Sequence, residues 1–202
     1  MELEKIVLEG LIAFLPAYIR LKGNCTILYT QPGGVYEIER AINTILKRLA
    51  NIYLIDLKAT KKYYGDILNM KNLVPIPFTR DNVFVPIKVR KPLYKNDGSF
   101  GYVNIRYINK TSKANGKTII TLTNGKTIES ISSIETVNKH IKNGHIVKRL
   151  SMERAKLTPL REEELYQEYN KPATKADIAL LISEIIKMKD DFLLGKKSNC
   201  KL

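Results

Sequence analysis

Apolar and polar residues alternate with a period of two over residues 83–90 and again over 102–107. Successive side chains of a β-strand point to opposite faces, so this pattern predicts a hairpin with a dry face and an outward basic face. The predicted outward side chains are Lys88, Arg90, Tyr102, Asn104 and Arg106. The connection at residues 91–101 is longer than a tight turn needs. We predict that it is a flexible tip carrying Lys91 and Lys95.

Other short apolar runs predict further strands at residues 5–19, 25–29 and 52–57, with a turn at residues 31–34. Apolar residues from Tyr36 to Leu49 recur at helical spacing, with acids first and bases last, which favours a helix there. Asn124-Gly125 lies between two β patterns and predicts a hairpin with a type I′ turn. Ser132 or Ser133 is expected to cap the helix that follows.

The last quarter of the chain is predicted to be helical, with segments at residues 160–169 and from Thr174 to about Leu194. The second segment has apolar residues at alternating steps of three and four, which are Ile178, Leu181, Ile185, Met188 and Phe192. Such a stripe is either a core face or a seam that pairs with a second subunit. The chain therefore reads as an α+β protein of antiparallel hairpins packed with helices, followed by a C-terminal helical segment.

Charge divides the chain into two predicted regions. The 202 residues carry a formal net charge of +14, with 34 Lys and Arg against 20 Asp and Glu. From Ser151 onward the chain has ten basic and nine acidic residues, so +13 of the net charge lies in residues 1–150. We predict a basic β-rich domain at residues 1–150 and a helical, oligomerisation or regulatory region at 151–202. An excess of this kind indicates an anionic partner such as nucleic acid or a membrane surface.

The residues that most enzymes and metal sites need are sparse. There is no glycine-rich phosphate loop, no Gly-x-Ser-x-Gly and no HExxH. His140 and His145 are five residues apart and would point away from each other on a helix. Cys25 and Cys200 offer neither a disulfide framework nor a zinc cluster. We expect a cytoplasmic protein without membrane spans, cofactors or catalytic activity.

The order of several short motifs resembles the ComK family of competence transcription factors. The similarity runs from Tyr53 through Val74-Pro75-Ile76-Pro77 and the strand Asn82-Val83-Phe84-Val85-Pro86. It continues in Phe100-Gly101-Tyr102-Val103-Asn104-Ile105 and in Ile120-Thr121-Leu122-Thr123-Asn124-Gly125-Lys126-Thr127. The resemblance implies an oligomeric activator of DNA-uptake genes that binds A/T-rich boxes of double-stranded DNA through the minor groove. It also implies control by an adaptor and a protease acting on the C-terminal segment.

Combining the resemblance with the charge gives a set of candidate DNA-binding residues. They are Lys58, Lys61, Lys62, Lys88, Arg90, Lys91, Lys95, Arg106 and Lys110. Lys91, Tyr94 and Lys95 suit entry into a minor groove, although the same loop is equally consistent with a solvated turn that protects a β edge. Two other hypotheses stay open. One is a helix-turn-helix at residues 37–49 and 57–68, and the other is a basic protein-interaction or membrane-surface module.

Overall fold

The computed structural model describes residues 2–95, 97–157, 175, 178–179, 181–186 and 188–189. The chain divides into two compact units, Met1–Leu157 and Thr158–Leu202. The helices of the first unit are α1 (Glu2–Leu8), α2 (Ile42–Ile52), α3 (Leu57–Leu68) and α4 (Ile134–Leu157). Its strands are β1 (Leu11–Ile19), β2 (Gly23–Thr30), β3 (Val35–Ile38), β4 (Ile76–Pro77), β5 (Val83–Lys88), β6 (Phe100–Asn104), β7 (Ile108–Ala114), β8 (Lys117–Leu122) and β9 (Thr127–Ser130). The predicted α+β class is confirmed.

The strands form two antiparallel sheets. The larger sheet has the order β3-β2-β1-β6-β5-β4, and the smaller one has the order β7-β8-β9. The hairpin predicted from residues 83–108 is present as β5 and β6, with Val85 opposite Val103. On its other side β6 pairs with β1, which places Phe14 opposite Tyr102. The hairpin therefore lies in the interior of a sheet, with a neighbour on each side of β6.

Both faces of the larger sheet are covered. On one face, Val85 packs in a core that includes Val137 and Val147 of α4, and on the other Phe84 packs in a core that includes Ile45 of α2. We call these the α4-side core and the α2-side core. The predicted outward basic face of the hairpin is therefore largely wrong. Asn104 is fully buried, and Lys88, Arg90 and Tyr102 are half-buried, whereas Arg106 is exposed as predicted. The side-chain Nδ2 of Asn104 donates to Asn82 Oδ1 at 2.9 Å, so this buried polar group has a hydrogen-bond partner inside the protein.

Three predicted elements differ near the N-terminus. Residues 5–8 belong to helix α1 instead of a strand, because Leu3 and Ile6 are spaced to bury one helical face in the α2-side core. Residues 35–38 pair with β2 as strand β3, so the helix predicted from Tyr36 begins only at Ile42. No strand forms at residues 52–57. There α2 ends and Asp56 caps α3, accepting hydrogen bonds from the amides of Lys58 and Ala59.

The predicted hairpin at Asn124-Gly125 is confirmed as β8 and β9, but its turn differs. The Leu122 amide donates to the Lys126 carbonyl, which closes a three-residue loop with Gly125 at φ 81°. Type I′ geometry needs a positive φ at two successive residues. That condition is met instead at Asn115 (φ 49°) and Gly116 (φ 73°), which join β7 to β8. Asn115-Gly116 is also an Asn-Gly dipeptide, so the sequence carries the type I′ signal at this turn as well.

The helix predicted after Ser132 or Ser133 is confirmed as α4, and the Ser133 hydroxyl accepts from the Thr136 amide at 3.3 Å. Gly144 fits α4 closely against the sheet, since a Cβ there would lie 2.5 Å from Val85 Cγ1. In the second unit, the described residues 175, 178–179, 181–186 and 188–189 are helical, as predicted. The expected helix at 160–169 lies outside the described residues. Within the part of the chain that is described, no helix is long and apolar enough to cross a membrane.

Candidate nucleic-acid interface

The nine candidate DNA-binding residues lie on three separate parts of the first unit. Lys58, Lys61 and Lys62 are on α3. Lys88 is the last residue of β5, and Arg90, Lys91 and Lys95 follow it. Arg106 lies on the single 3-10 turn Ile105–Tyr107, and Lys110 lies on β7. Among the described residues no hydrogen bond or ion pair joins one group to another. The fold therefore presents three basic surfaces, which we treat in turn.

The first surface is the connection between β5 and β6, which we call the tip loop (residues 89–99). Its base continues the antiparallel pairing, since the Val89 amide donates to the Ser99 carbonyl at 3.0 Å. Closer to the end, the Asp97 amide donates to the Tyr94 carbonyl at 3.0 Å. The loop thus has backbone structure of its own, and Asn96 alone within it lies outside the described residues.

Arg90 ties the tip loop to the β1–β2 hairpin. Its guanidinium stacks on the Tyr18 ring, with Cζ 3.9 Å from the ring centroid. Nε donates to the Gly98 carbonyl at 2.8 Å, and Nη2 donates to Asn24 Oδ1 at 2.7 Å. Nη1 is buried and has no partner among the described residues. The structure therefore places this candidate inside the loop, where its contacts hold protein groups together.

Asp97 completes the anchor. Its carboxylate accepts from the Tyr18 hydroxyl, from Asn24 Nδ2 at 2.9 Å and from the Tyr94 amide at 3.3 Å. The Tyr18 oxygen in turn accepts from the Leu93 amide at 2.7 Å. Partial loss of solvation raises the pKa of the Tyr18 phenol, and the hydrogen bond to Asp97 acts in the same direction, so the phenol keeps its proton at neutral pH. These hydrogen bonds tie Asp97 to the β1–β2 hairpin, a constraint that the prediction of a flexible tip did not include.

The anchored tip loop holds apolar side chains in water. Leu93 is 70% exposed and Tyr94 is 74% exposed, and the exposed lysines Lys91 and Lys95 stand on either side of them. Lys88, at the start of the connection, is half-buried, and its carbonyl accepts from the Ile131 amide and the Ser130 hydroxyl. The outer part of the loop, residues 91–95, is therefore the part that a partner can reach.

The second surface is the exposed side of α3. Lys58, Lys61 and Lys62 are exposed, while Tyr64 on the same helix is buried in the α4-side core. Lys61 and Lys62 line a surface cavity of about 460 Å³ together with Lys71, Asp66 and Asn69. Lys71 was not among the candidates, because it follows the helix and only the fold brings it to this cavity. The cavity gathers three ammonium groups around one carboxylate, which suits contact with phosphates.

The third surface lies where β7 meets α4. Thr111 Oγ1 donates to Asn138 Oδ1 at 2.8 Å, which holds the strand against the helix. Lys110 lines a cavity of about 240 Å³ beside this contact, together with Asn138 and His145. Asn138 and His145 are seven residues apart on one helical face, and this spacing could have identified them from the sequence. Arg106 is exposed nearby in sequence, with its guanidinium 5.9 Å from the Tyr107 ring centroid.

The remaining histidine and cysteine are enclosed by the fold. His140 is buried and burial lowers its pKa, so its ring stays neutral near pH 7. The Cys25 thiol is buried, and loss of solvation raises its pKa. Among the described residues, no group of three or more His, Cys, Asp or Glu side chains is placed to hold a metal ion.

A comparison of the chain with protein-family models, curated proteins and solved structures finds no match. The resemblance to competence factors therefore stays a prediction.

Proposed function

We propose that this chain is a cytoplasmic DNA-binding transcriptional regulator that recognises A/T-rich duplex DNA through the minor groove. The observation that carries the proposal is the tip loop, in which exposed Lys91 and Lys95 flank exposed Leu93 and Tyr94 on a chain with a net charge of +14. A narrow minor groove concentrates negative potential, most strongly in A-tracts, and it attracts basic side chains on a narrow projection. A fixed basic loop meets that requirement.

In this proposal the other two basic surfaces contact the phosphates of the DNA backbone. Lys58, Lys61 and Lys62 on α3, with Arg106 and Lys110 near β7, are exposed. They form no ion pair with the carboxylates of the described residues. Lysine and arginine that neutralise phosphates release condensed counterions, which makes binding tight at low salt and largely independent of sequence. Sequence preference then falls to the tip loop.

The helix-turn-helix alternative has less support. In that motif the two helices pack against each other so that the second can enter the major groove. Here Ile45 and Leu49 of α2 belong to the α2-side core, whereas Tyr64 of α3 belongs to the α4-side core. Only the first residue of α3, Leu57, packs against the α2-side core, and Tyr64 and Leu68 pack on the other face of the sheet. The helices are therefore not packed along each other as in that motif, and we assign Lys61 and Lys62 to phosphate contacts.

The resemblance to competence factors supports two further parts of the proposal. We take DNA-uptake genes as the targets, with the C-terminal segment as the site of adaptor and protease control. We also propose a homo-oligomer, because the described apolar residues of that segment, such as Ile178, Leu181 and Ile185, are more than half exposed at the spacing of a helical seam.

A fluorescence anisotropy titration tests the proposal. Labelled A/T-rich and G/C-rich duplexes of equal length are titrated at 50 and 200 mM salt, using the full chain. We expect preferential A/T-rich binding that netropsin displaces, and we expect the double variant Lys91→Ala/Lys95→Ala to lose at least about tenfold in affinity. Because this variant neutralises two fewer phosphates, the magnitude of the slope of log K against log salt should also fall by about 2.

The matched control is Lys5→Ala/Lys47→Ala, which removes the same charge from exposed positions on α1 and α2. We expect that variant to bind A/T-rich DNA nearly as well as the unchanged chain. Equal affinity for both duplexes, or binding only to anionic vesicles, would contradict the proposal. The second result would instead support the basic membrane-surface hypothesis.

A further inference from the structure

The tip loop exposes an apolar side chain that the protein has not buried. Leu93 is 70% exposed, and it lies between Pro92 and Tyr94 at the outer part of the loop. Exposed leucines are common, but the backbone of Leu93 is held by a partly buried network of polar groups. We propose, resting on the proposed function, that Leu93 is a wedge that enters a base step from the minor groove, unstacks it and bends the duplex.

A wedge needs a rigid support, because unstacking a base step costs on the order of a few kcal/mol. The support here is direct. The Leu93 amide donates to the Tyr18 oxygen at 2.7 Å, and the Tyr18 hydroxyl is itself bound to Asp97. Pro92 fixes the backbone φ angle immediately before Leu93. The backbone entering Leu93 is thus held by Pro92 and by the hydrogen bond of its own amide, so the loop can resist displacement when Leu93 enters a base step.

The base of the loop is braced against the rest of the unit. The Arg90 guanidinium stacks on Tyr18 and bonds to Gly98. Gly98 in turn lies so close to α2 that a Cβ would be 2.3 Å from Ile42 Cγ2. Force on Leu93 would therefore be carried into the β1–β2 hairpin and the first turn of α2.

The charges around the wedge match a duplex. Lys91 and Lys95 stand two residues before and after Leu93, so their side chains can reach phosphates beside an opened step. The one acidic group of the loop, Asp97, has its carboxylate turned toward Tyr18, Asn24 and the Tyr94 amide. Residues 91–95 themselves include no acid. An apolar side chain between two cations, with the anion directed inward, is complementary to a negatively charged groove floored by bases.

Unstacking is measured with 2-aminopurine, whose emission is quenched when it is stacked in a duplex. A set of A/T-rich duplexes carries the probe at successive steps, and the full chain is added at saturating concentration. We expect emission to rise several-fold at one step, and we expect energy transfer between dyes at the two duplex ends to report a bend. Pyrimidine–purine steps such as TA should respond most, because they unstack most easily.

The deciding variant is Leu93→Ala, with Leu8→Ala as its matched control. Leu8 is 86% exposed at the end of α1, so both changes remove the same atoms from water-facing positions. We expect Leu93→Ala to abolish the emission rise and the bend, to weaken binding about threefold to thirtyfold, and to leave the salt slope unchanged. Leu93→Met should retain most of the signal, since it keeps a long apolar side chain. Circular dichroism would show that the variants remain folded.

The outcomes separate the wedge from DNA binding itself. If the unchanged chain binds A/T-rich DNA without any emission rise, or if Leu93→Ala gives the same rise, the wedge is overturned while the proposed function stands. If the unchanged chain does not bind duplex DNA at either salt concentration, both are overturned. Loss of the signal in Leu93→Ala together with an unchanged salt slope supports the wedge specifically.

Discussion

Two hairpins of this protein, β5–β6 and β7–β8, have connections that carry similar charge but are built by different means. The β7–β8 connection is the dipeptide Asn115-Gly116, which has the two positive φ angles of a type I′ turn and is flanked by Lys113 and Lys117. The tip loop is long, and its shape depends on Tyr18 and Asn24 from a different hairpin. One turn is set by its own backbone, and the other is set by tertiary contacts.

This difference determines what each connection can present. A two-residue turn exposes its flanking lysines and little else, and Lys117 is already paired with Glu129 at 2.6 Å. The tip loop exposes Leu93 and Tyr94 in a fixed orientation as well as its lysines. Charge alone attracts any polyanion, whereas a fixed apolar projection can respond to shape and stacking. Under the proposed function, the anchor is what allows the tip loop to respond to DNA shape as well as to charge.

Breaking the anchor should have the largest effect. Asp97→Ala removes the acceptor used by the Tyr18 hydroxyl, Asn24 and the Tyr94 amide. Each such hydrogen bond contributes about 0.5–1.5 kcal/mol, so we expect the loss of all three to lower the free energy of unfolding by about 2 kcal/mol. Urea denaturation followed by circular dichroism measures this. DNA affinity should fall as well, because Leu93 loses its support.

Asp97→Asn is the conservative control, since it keeps one acceptor oxygen for the same donors. We expect it to recover at least half of the lost stability. If Asp97→Ala leaves stability unchanged, the hydrogen bonds do not hold the loop, and the contrast between the two connections disappears.

A change in the other connection should have a smaller and purely local effect. Gly116→Ala places a Cβ at φ 73° with no neighbouring atom within 4 Å, so backbone strain is its only cost. We expect a loss of about 1 kcal/mol in the same urea experiment. Gly116→Asn should cost less, because asparagine tolerates the left-handed region. DNA affinity should stay the same for both variants, and a large loss of affinity would show that this turn also contacts DNA.

The sequence predicted the locally determined features well. Asn-Gly dipeptides mark turns because a positive φ is cheap for both residues, and Asn124-Gly125 predicted a hairpin that is present. The N-cap preference of serine predicted the helix that follows Ser133. The α+β class follows from the same local patterns. At residues 5–8 the run of three apolar residues predicted a strand. The segment is helical, and Leu3 and Ile6, three residues apart, are buried on one face of that helix.

Features that depend on distant partners could not be predicted. Tyr18 and Asp97 are separated by 79 positions in the sequence, so nothing near residue 97 indicated that the tip loop is anchored. The alternation along β5 predicted one dry face and one wet face. It could not show that β1 lies beside β6 or that helices cover both faces of the sheet. Arg90 was chosen for its charge, and only the fold shows that its guanidinium is enclosed.

The smallest expected effect comes from Lys117→Ala. The ion pair with Glu129 lies between side chains that are 50% and 59% exposed, and pairs of this kind contribute about 0–1 kcal/mol. The hairpin should persist, because Asn115 and Gly116 set its geometry. Any loss of stability should vanish in 1 M salt, where exposed charges are screened.

The affinity of Lys117→Ala for A/T-rich DNA should change by less than about twofold, whereas Lys91→Ala should reduce it several-fold in the same anisotropy titration. Since both changes remove one lysine beside a turn, equal losses would mean that net charge governs binding and that the anchored shape of the tip loop contributes nothing.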